Sequence, residues 1–377
     1  MKKLLISLLA TALVFFTLVF SLGSIAINKT DDFMVAMVTD FSDVNDASFN
    51  QACYEGAKEW GKGKTNVTFN YFKPSDVSHA ERIKSINLAI DRGYKVILCP
   101  GFALGPAIAE VAPKYPDVKF IGLDIAPGDF PTGFELTKNI AVYNYREEIG
   151  GYLAGYAAVK EGFTKLGYLG GIPASAVVRF GYGYVQGIDA AAKELDTRVS
   201  VKYAYAGQFF GDNDIFKQID NWYKTNETDI VFSCGGSIYT SVALAAKENN
   251  GYMIGVDNDQ APIIDRDYKE GICITSAMKG IKQTVIDKLE LLYSENKFEP
   301  GFTDLGIESV DHPELNYVQL PLENWRMKNF TIQDYKNLLS EIYSGSRTIS
   351  NDSDSSKHPR QPDFTNVDLD YKEGTIK

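Results

Sequence analysis

From Phe33 onward the chain alternates two textures. Short, almost unbroken apolar runs (FMVAMVT, VILCPG, FIGLD, IAVYN, KLGYLGG, DIVFSCGG, YMIGVD and ICITSAM) are joined by VTFNYF and VSVKYAY, which read as further strands. Between them lie helix-length stretches such as SFNQACYEGAKEWGK, HAERIKSINLAIDRG, EEIGGYLAGYAAVKEG and GYVQGIDAAAKEL. A short apolar run without polar alternation predicts a strand covered on both faces, as in a parallel sheet. Strand–helix alternation predicts βαβ units and a doubly wound α/β architecture. So many strands exceed one ordinary sheet, and the pattern restarts near Lys165, so the chain is expected to build two similar lobes.

The ends differ from this middle. Lys2 and Lys3 precede LLISLLATALVFFTLVFSLGSIAI, an uncharged run of about two dozen residues, where about twenty suffice to cross a bilayer. Residues 1–30 therefore read as a signal peptide or an N-terminal membrane anchor, and the chain as exported. No cysteine lies in or just after this run, which excludes a lipid-modified N-terminal cysteine there. Beyond Ser344 the sequence is polar and patternless, and residues 345–377 are expected to form a disordered tail.

A hydrophobic content of 45% supports a large core, and 377 residues make about two domains of ordinary size. A net charge of −11 argues against a nucleic-acid partner, which needs a basic face to neutralise phosphates. Cys53, Cys99, Cys234 and Cys273 each sit in apolar surroundings and are expected to be free, buried thiols. Three histidines without cysteine or histidine neighbours at ligand spacing make a zinc site improbable.

In open parallel sheets, ligands bind beyond the carboxyl ends of the strands. The residues there are Asp40 after MVT, Asp124 after IGL, Asp257 after IGV and Lys279 after ITSAM. Gly235 and Gly236 follow VFSC, Phe180 lies in the segment after YLGG, and Phe49 and Asn50 open the helix after the first strand. Three carboxylates and one ammonium suit a neutral, hydroxyl-rich ligand, because charge-assisted hydrogen bonds are roughly twice as strong as neutral ones. Each residue also has a structural reading: Asp40 as a loop cap, Asp124 and Asp257 as turn residues, Asn50 as a helix-start residue, Lys279 as a surface residue, and Phe49 and Phe180 as core. No G-x-S-x-G elbow, P-loop or H-E-x-x-H motif occurs, and His79, His312 and His358 follow no core strand. An enzyme is thus the weaker class, and no cofactor or metal is expected.

Four stretches bear a resemblance. VTDFSDVNDASFNQACYEGAKEW, KNIAVYNYREEIGGYLAGYAA, KLGYLGGIPASAVVRFGYGYVQGIDAAAK and IGVDNDQ, followed by ITSAMKG, resemble the basic membrane protein family in matching order. Its best understood branch is the purine nucleoside receptor of bacterial nucleoside importers. The resemblance covers roughly residues 33–339 and implies a type I periplasmic-binding fold of two doubly wound, three-layer lobes joined by three crossovers. The lobes are expected at 33–143 plus 273–312 and at 144–272 plus 313–340. It implies that Asp40, Phe49, Asn50, Asp124, Phe180, Asp257 and Lys279 face the ligand. It also implies an extracytoplasmic receptor for purine nucleosides such as guanosine, inosine or adenosine, handing them to the membrane permease of an ABC transporter. An uncleaved N-terminal segment would hold it at the membrane. The chain departs from the family pattern in lacking a lipidation cysteine, in reading Val178-Arg179-Phe180 where the family often has R-R-F, and in its long polar tail. A surface adhesin or antigen, a signalling receptor on the same fold, a sugar-binding protein and a nucleoside hydrolase stay open as other readings.

Overall fold

The computed structural model describes residues 32–40, 42–360 and 363–376, so the expected leader or anchor at 1–30 lies outside the described residues. The first part of the chain runs β1 (Phe33–Val38), α1 (Phe49–Gly61), β2 (Val67–Phe72), α2 (His79–Asp91), β3 (Val96–Pro100), α3 (Gly105–Val111), β4 (Lys119–Leu123) and β5 (Ile140–Tyr145). It continues through α4 (Glu147–Glu161), β6 (Lys165–Gly170), α5 (Ser175–Glu194), β7 (Val199–Tyr205), α6 (Asn213–Lys224), β8 (Ile230–Cys234), α7 (Tyr239–Asn249) and β9 (Tyr252–Asp257). The last elements are α8 (Ala261–Asp267), β10 (Cys273–Lys279), α9 (Ile281–Glu295), β11 (Gly301–Leu305), β12 (Val318–Gln319), α10 (Ile332–Tyr343) and β13 (Val367–Thr375).

Two sheets result, in the orders β11-β5-β4-β3-β1-β2 and β12-β10-β9-β8-β6-β7-β13. All pairings are parallel except that of β12 with β10. The central strands VILCP and IVFSC are buried at every residue, as expected for sheets covered by helices on both faces. The edge strand β2 (VTFNYF) fully buries only its last residue, Phe72. The chain passes between the sheets three times: from β5 into α4, from β10 into α9, and from β11 to β12. All four cysteines are free and buried. Among the described residues no helix is long and apolar enough to cross a membrane.

Two expectations about segments differ from the structure. Residues 273–312 were expected in the first lobe, but β10 belongs to the second sheet, pairing in parallel with β9. The chain returns to the first lobe only at Gly280, where α9 packs on α1: a Cβ at Gly56 would strike the Lys282 carbonyl and the Val285 side chain. ICITSAM carries the same apolar texture as a strand of either sheet, so its sequence does not say which sheet it joins.

The second difference is the tail, expected to be disordered across 345–377. It wraps the second lobe and ends in β13, paired with β7 from Val367↔Val199 to Tyr371↔Tyr203. In VDLDY the odd positions turn inward and the aspartates outward, a period of two hidden by the polar composition around it. The Asp189 carboxylate accepts hydrogen bonds from the amides of Thr365 (3.0 Å) and Asn366 (2.8 Å), and Lys202 reaches Asp370 at 2.9 Å. His358 stacks on Tyr182 with ring centroids 3.8 Å apart, and Arg347 donates to the Tyr152 hydroxyl (2.8 Å) and Glu194 (2.9 Å).

The α4–α5 pair bears on the site. Cβ atoms at Gly151 and Gly155 would collide with the carbonyls of Phe180 and Tyr184, and at Gly183 and Gly187 with those of Glu148 and Tyr152. The glycines let the two helices meet backbone to backbone, which sets Glu147 at the start of α4 beside Arg179 and Phe180 of α5.

Candidate functional site

The carboxyl ends of both sheets face a common cleft with about 500 Å³ of atom-free space, part of it open to solvent, within the usual range for small-molecule sites. Its polar floor is an ion cluster built from both lobes. The Lys279 ammonium, at the end of β10, lies 2.7 Å from Asp124 Oδ2, 3.2 Å from Asp257 Oδ1 and 3.8 Å from Glu147 Oε1. Asp124 follows β4 in the first lobe and Asp257 ends β9 in the second. Both take left-handed backbone angles, φ 59° and 64°, a conformation that disfavours L-residues and that aspartate tolerates better than most. Arg179 completes the cluster, paired with Glu147 and donating to Asn144 Oδ1 at 2.9 Å.

Burial sets the charge states. It pushes the Glu147 carboxyl up to about 8, aided by Asp124 and Glu148 and opposed by Arg179 and Lys279. For Lys279 burial acts to lower the ammonium, yet Asp124, Asp257 and Glu147 outweigh it and hold the group above its ordinary value. Lys279 is therefore a fixed cation among three carboxyl groups. One oxygen of Asp124, Oδ1, is buried and accepts no hydrogen bond from the described residues, leaving an acceptor at the cleft.

Aromatic rings form the walls. Phe49, at the start of α1, lies against Gly101, where a Cβ would come within 2.9 Å of the ring. Phe209, in the loop after β7, fills space left by Gly171 and Gly235, where Cβ atoms would meet its ring. Phe102 of the first lobe stands 6.2 Å from Phe209, centroid to centroid. Phe180 is buried in the floor with the Lys279 ammonium 5.4 Å over its ring. One cleft thus presents aromatic faces from both lobes above buried charges.

The lobes also bond to each other directly. Ser48 Oγ donates to the Asp257 carboxylate, Asn258 Nδ2 donates to the Ser48 carbonyl at 3.0 Å, and Gln260 Nε2 to the Ala47 carbonyl at 3.0 Å.

Of the residues expected at the ligand, Phe49, Asp124, Phe180, Asp257 and Lys279 line the cleft, whereas Asp40 and Asn50 do not. Those two lie behind Phe49: Asn50 Nδ2 donates to Asp40 Oδ1 (3.0 Å) and Asp46 Oδ2 (2.9 Å), and Arg82 Nε donates to the Asp40 carbonyl (3.0 Å). Burial pushes Asp46 up to about 6, against the bonds from Asn50 and the amides of Ser48 and Gln51. The third acid of this loop, Asp43, faces outward and pairs with Lys73 at 2.9 Å. Asp40 and Asp46 thus brace the turn that delivers Ser48 and Phe49.

The sequence reading gave no ligand role to Phe102, Phe209, Glu147, Arg179 or Asn144. Phe102 and Phe209 follow strand ends, in GFALG and YAGQFFG, so the strand-end rule reaches them once it is extended from acids to rings. Glu147 and Arg179 meet only through the helix pair, which local sequence does not reveal.

Two doubly wound lobes closing a cleft between the ends of their sheets define the type I periplasmic-binding fold. A solved ABC transporter solute-binding protein from Aeropyrum pernix K1 shares this fold, with a TM-score of 0.66 at 20% identity over 85% of this chain and 88% of that one. The chain belongs to the Bmp family, ABC transporter substrate-binding proteins that are PnrA-like, whose profile matches residues 33–318. It is 31% identical over 306 residues to the ABC transporter nucleoside-binding protein BmpA of Lactococcus lactis subsp. cremoris, covering 74% of this chain and 83% of that protein. It is 29% identical over 275 residues to the CD4+ T-cell-stimulating antigen of Listeria monocytogenes, covering 69% and 73%.

Proposed function

We propose that the protein is an extracytoplasmic receptor for purine nucleosides that hands its ligand to the permease of an ABC transporter. The observation that carries this reading is a cleft lined by aromatic side chains of both lobes, Phe49 and Phe102 from one and Phe209 from the other, over a floor of Asp124, Lys279 and Asp257. A planar base can stack on an exposed face of one of these rings, and each base–aromatic stack contributes about 1–3 kcal/mol where measured in nucleic-acid binders. Sugar hydroxyls then donate to the carboxylates, Asp124 Oδ1 first, since it holds no other hydrogen bond. The name of the lactococcal relative, nucleoside-binding, supports the same ligand class. A ligand gripping Asp124 and Asp257 together bridges the lobes and favours their closed arrangement, because closure follows the state that ligand binds better.

Calorimetric titration with guanosine, inosine, adenosine, ribose and glucose tests the proposal. Nucleosides are expected to bind with micromolar or tighter affinity and free sugars far more weakly, and Asp257→Ala is expected to abolish binding. Flat titrations with every nucleoside, or sugars binding as tightly as nucleosides, would overturn it.

A further inference from the structure

The C-terminal strand lies outside the matched family region, which stops at residue 318, yet its last residues end beside the cleft. After Tyr371 the register slips through Gly374 (φ 79°), and Thr375 pairs with Tyr205. The Ile376 amide donates to the Tyr205 carbonyl at 2.9 Å, and its side chain is buried in the cluster that holds Ala204, Ala206, Ile215 and Ile238. The Thr375 side chain stands against Gly207 (φ 82°), where a Cβ would approach its methyl to 2.9 Å. Gly207 is two residues before Phe209. From the other side the same loop is tied by the amides of Ala206 to Gly170 O (2.7 Å), Gly207 to Gly171 O (2.8 Å) and Ser237 to Phe209 O (2.8 Å). The loop that carries the Phe209 ring is thus gripped on its inner side by the ends of β6 and β8 and on its outer side by residues 375–376. The preceding tail is fastened to Tyr182, Gln186 and Asp189 of α5, all in the second lobe with Phe209.

We propose that the C-terminal strand is a positioning element for the aromatic wall: Thr375 and Ile376 hold the 206–212 loop and so fix the Phe209 ring in the cleft. Only the affinity part of its test rests on the nucleoside reading.

The test uses the full chain with Ile376→Asp and, as a milder change, Thr375→Gly. Hydrogen exchange is expected to quicken at residues 206–212 by about tenfold or more, as for a segment that opens locally. Exchange in α2 of the first lobe and in α10 of the second, whose inner residues Tyr335, Leu338 and Leu339 belong to a different core cluster, is expected to stay unchanged. Unchanged protection at 206–212, or an equal rise across the whole second lobe, would overturn the proposal. In a second arm, inosine affinity is measured for the wild type, Ile376→Asp, Phe209→Ala and the double variant. Ile376→Asp is expected to raise Kd about fivefold when Phe209 is present and not to raise it once the ring is gone, the signature of coupled residues. Equal losses in both backgrounds would overturn the proposal. A wild type that takes up no nucleoside would defeat the nucleoside reading, while hydrogen exchange would still decide whether the strand fixes the loop.

Discussion

Asp124 and Asp257 occupy matching places in the two lobes. Each stands at the carboxyl end of an interior parallel strand, each takes a left-handed backbone angle, and each lies within hydrogen-bond reach of the same Lys279 ammonium. Their neighbours separate them. Both oxygens of Asp257 are engaged, one by Lys279 and the other by Ser48 of the opposite lobe. Asp124 gives one oxygen to Lys279 and keeps Oδ1 without a hydrogen bond from the described residues. Sheet geometry delivers two equivalent carboxylates, and the loop before α1 engages the second oxygen of one of them while the other keeps an oxygen with no hydrogen bond from the described residues.

The severest way to break this comparison is to remove the ammonium the two acids share. Lys279→Met leaves buried carboxyl groups without their cation and is expected to cost about 3–5 kcal/mol of stability, as when one partner of a buried ion pair is deleted. Urea unfolding reads the loss, and a midpoint close to that of the wild type would mean that the acids do not depend on Lys279. A finer test sets the two aspartates against each other. Asp257→Asn turns an amide toward Lys279 or Ser48 and is expected to cost about 1–3 kcal/mol of stability together with ligand affinity. Asp124→Asn is expected to weaken ligand binding by about tenfold with a smaller loss of stability, since an amide oxygen can still face Lys279. Equal effects of the two changes on both urea midpoint and Kd would erase the distinction.

The smallest expected effect concerns Glu147, the third carboxyl of the cluster. Its folded value of about 8 lies above the usual 4.5, so the folded chain holds a proton that the unfolded chain has released. That contribution to stability is fully present below about 4.5 and is lost as pH rises through 8. Between pH 7 and pH 9 the loss amounts to roughly 1 kcal/mol, and Glu147→Gln is expected to remove this dependence. Urea midpoints measured across that range check it, and a wild type whose midpoint rises with pH there would contradict the assignment.

What could be read in advance follows a physical line. Unbroken apolar strands between amphipathic helices report burial on both faces, so parallel sheets and two lobes were legible. Asp124, Asp257 and Lys279 were legible too, because a residue just past a parallel strand has few places to point except the crevice. Asp40 obeys the same rule and still misses the cleft, since Asn50 and Arg82 draw its side chain and carbonyl into the turn behind Phe49. Membership of a sheet was not legible for ICITSAM, whose neighbours are chosen by long-range packing. Nor was β13, whose inward positions Val367, Leu369 and Tyr371 are diluted by the aspartates between them.

Two members of the ion cluster sit where the chain passes from lobe to lobe: Glu147 two residues past the end of β5, and Lys279 directly before Gly280. The buried charges of the cleft and the crossovers between the lobes are therefore built from the same few residues. On the proposed receptor reading, a bound solute that redistributes charge among these groups would act at the crossovers themselves, so that capture and lobe movement would be one mechanical event.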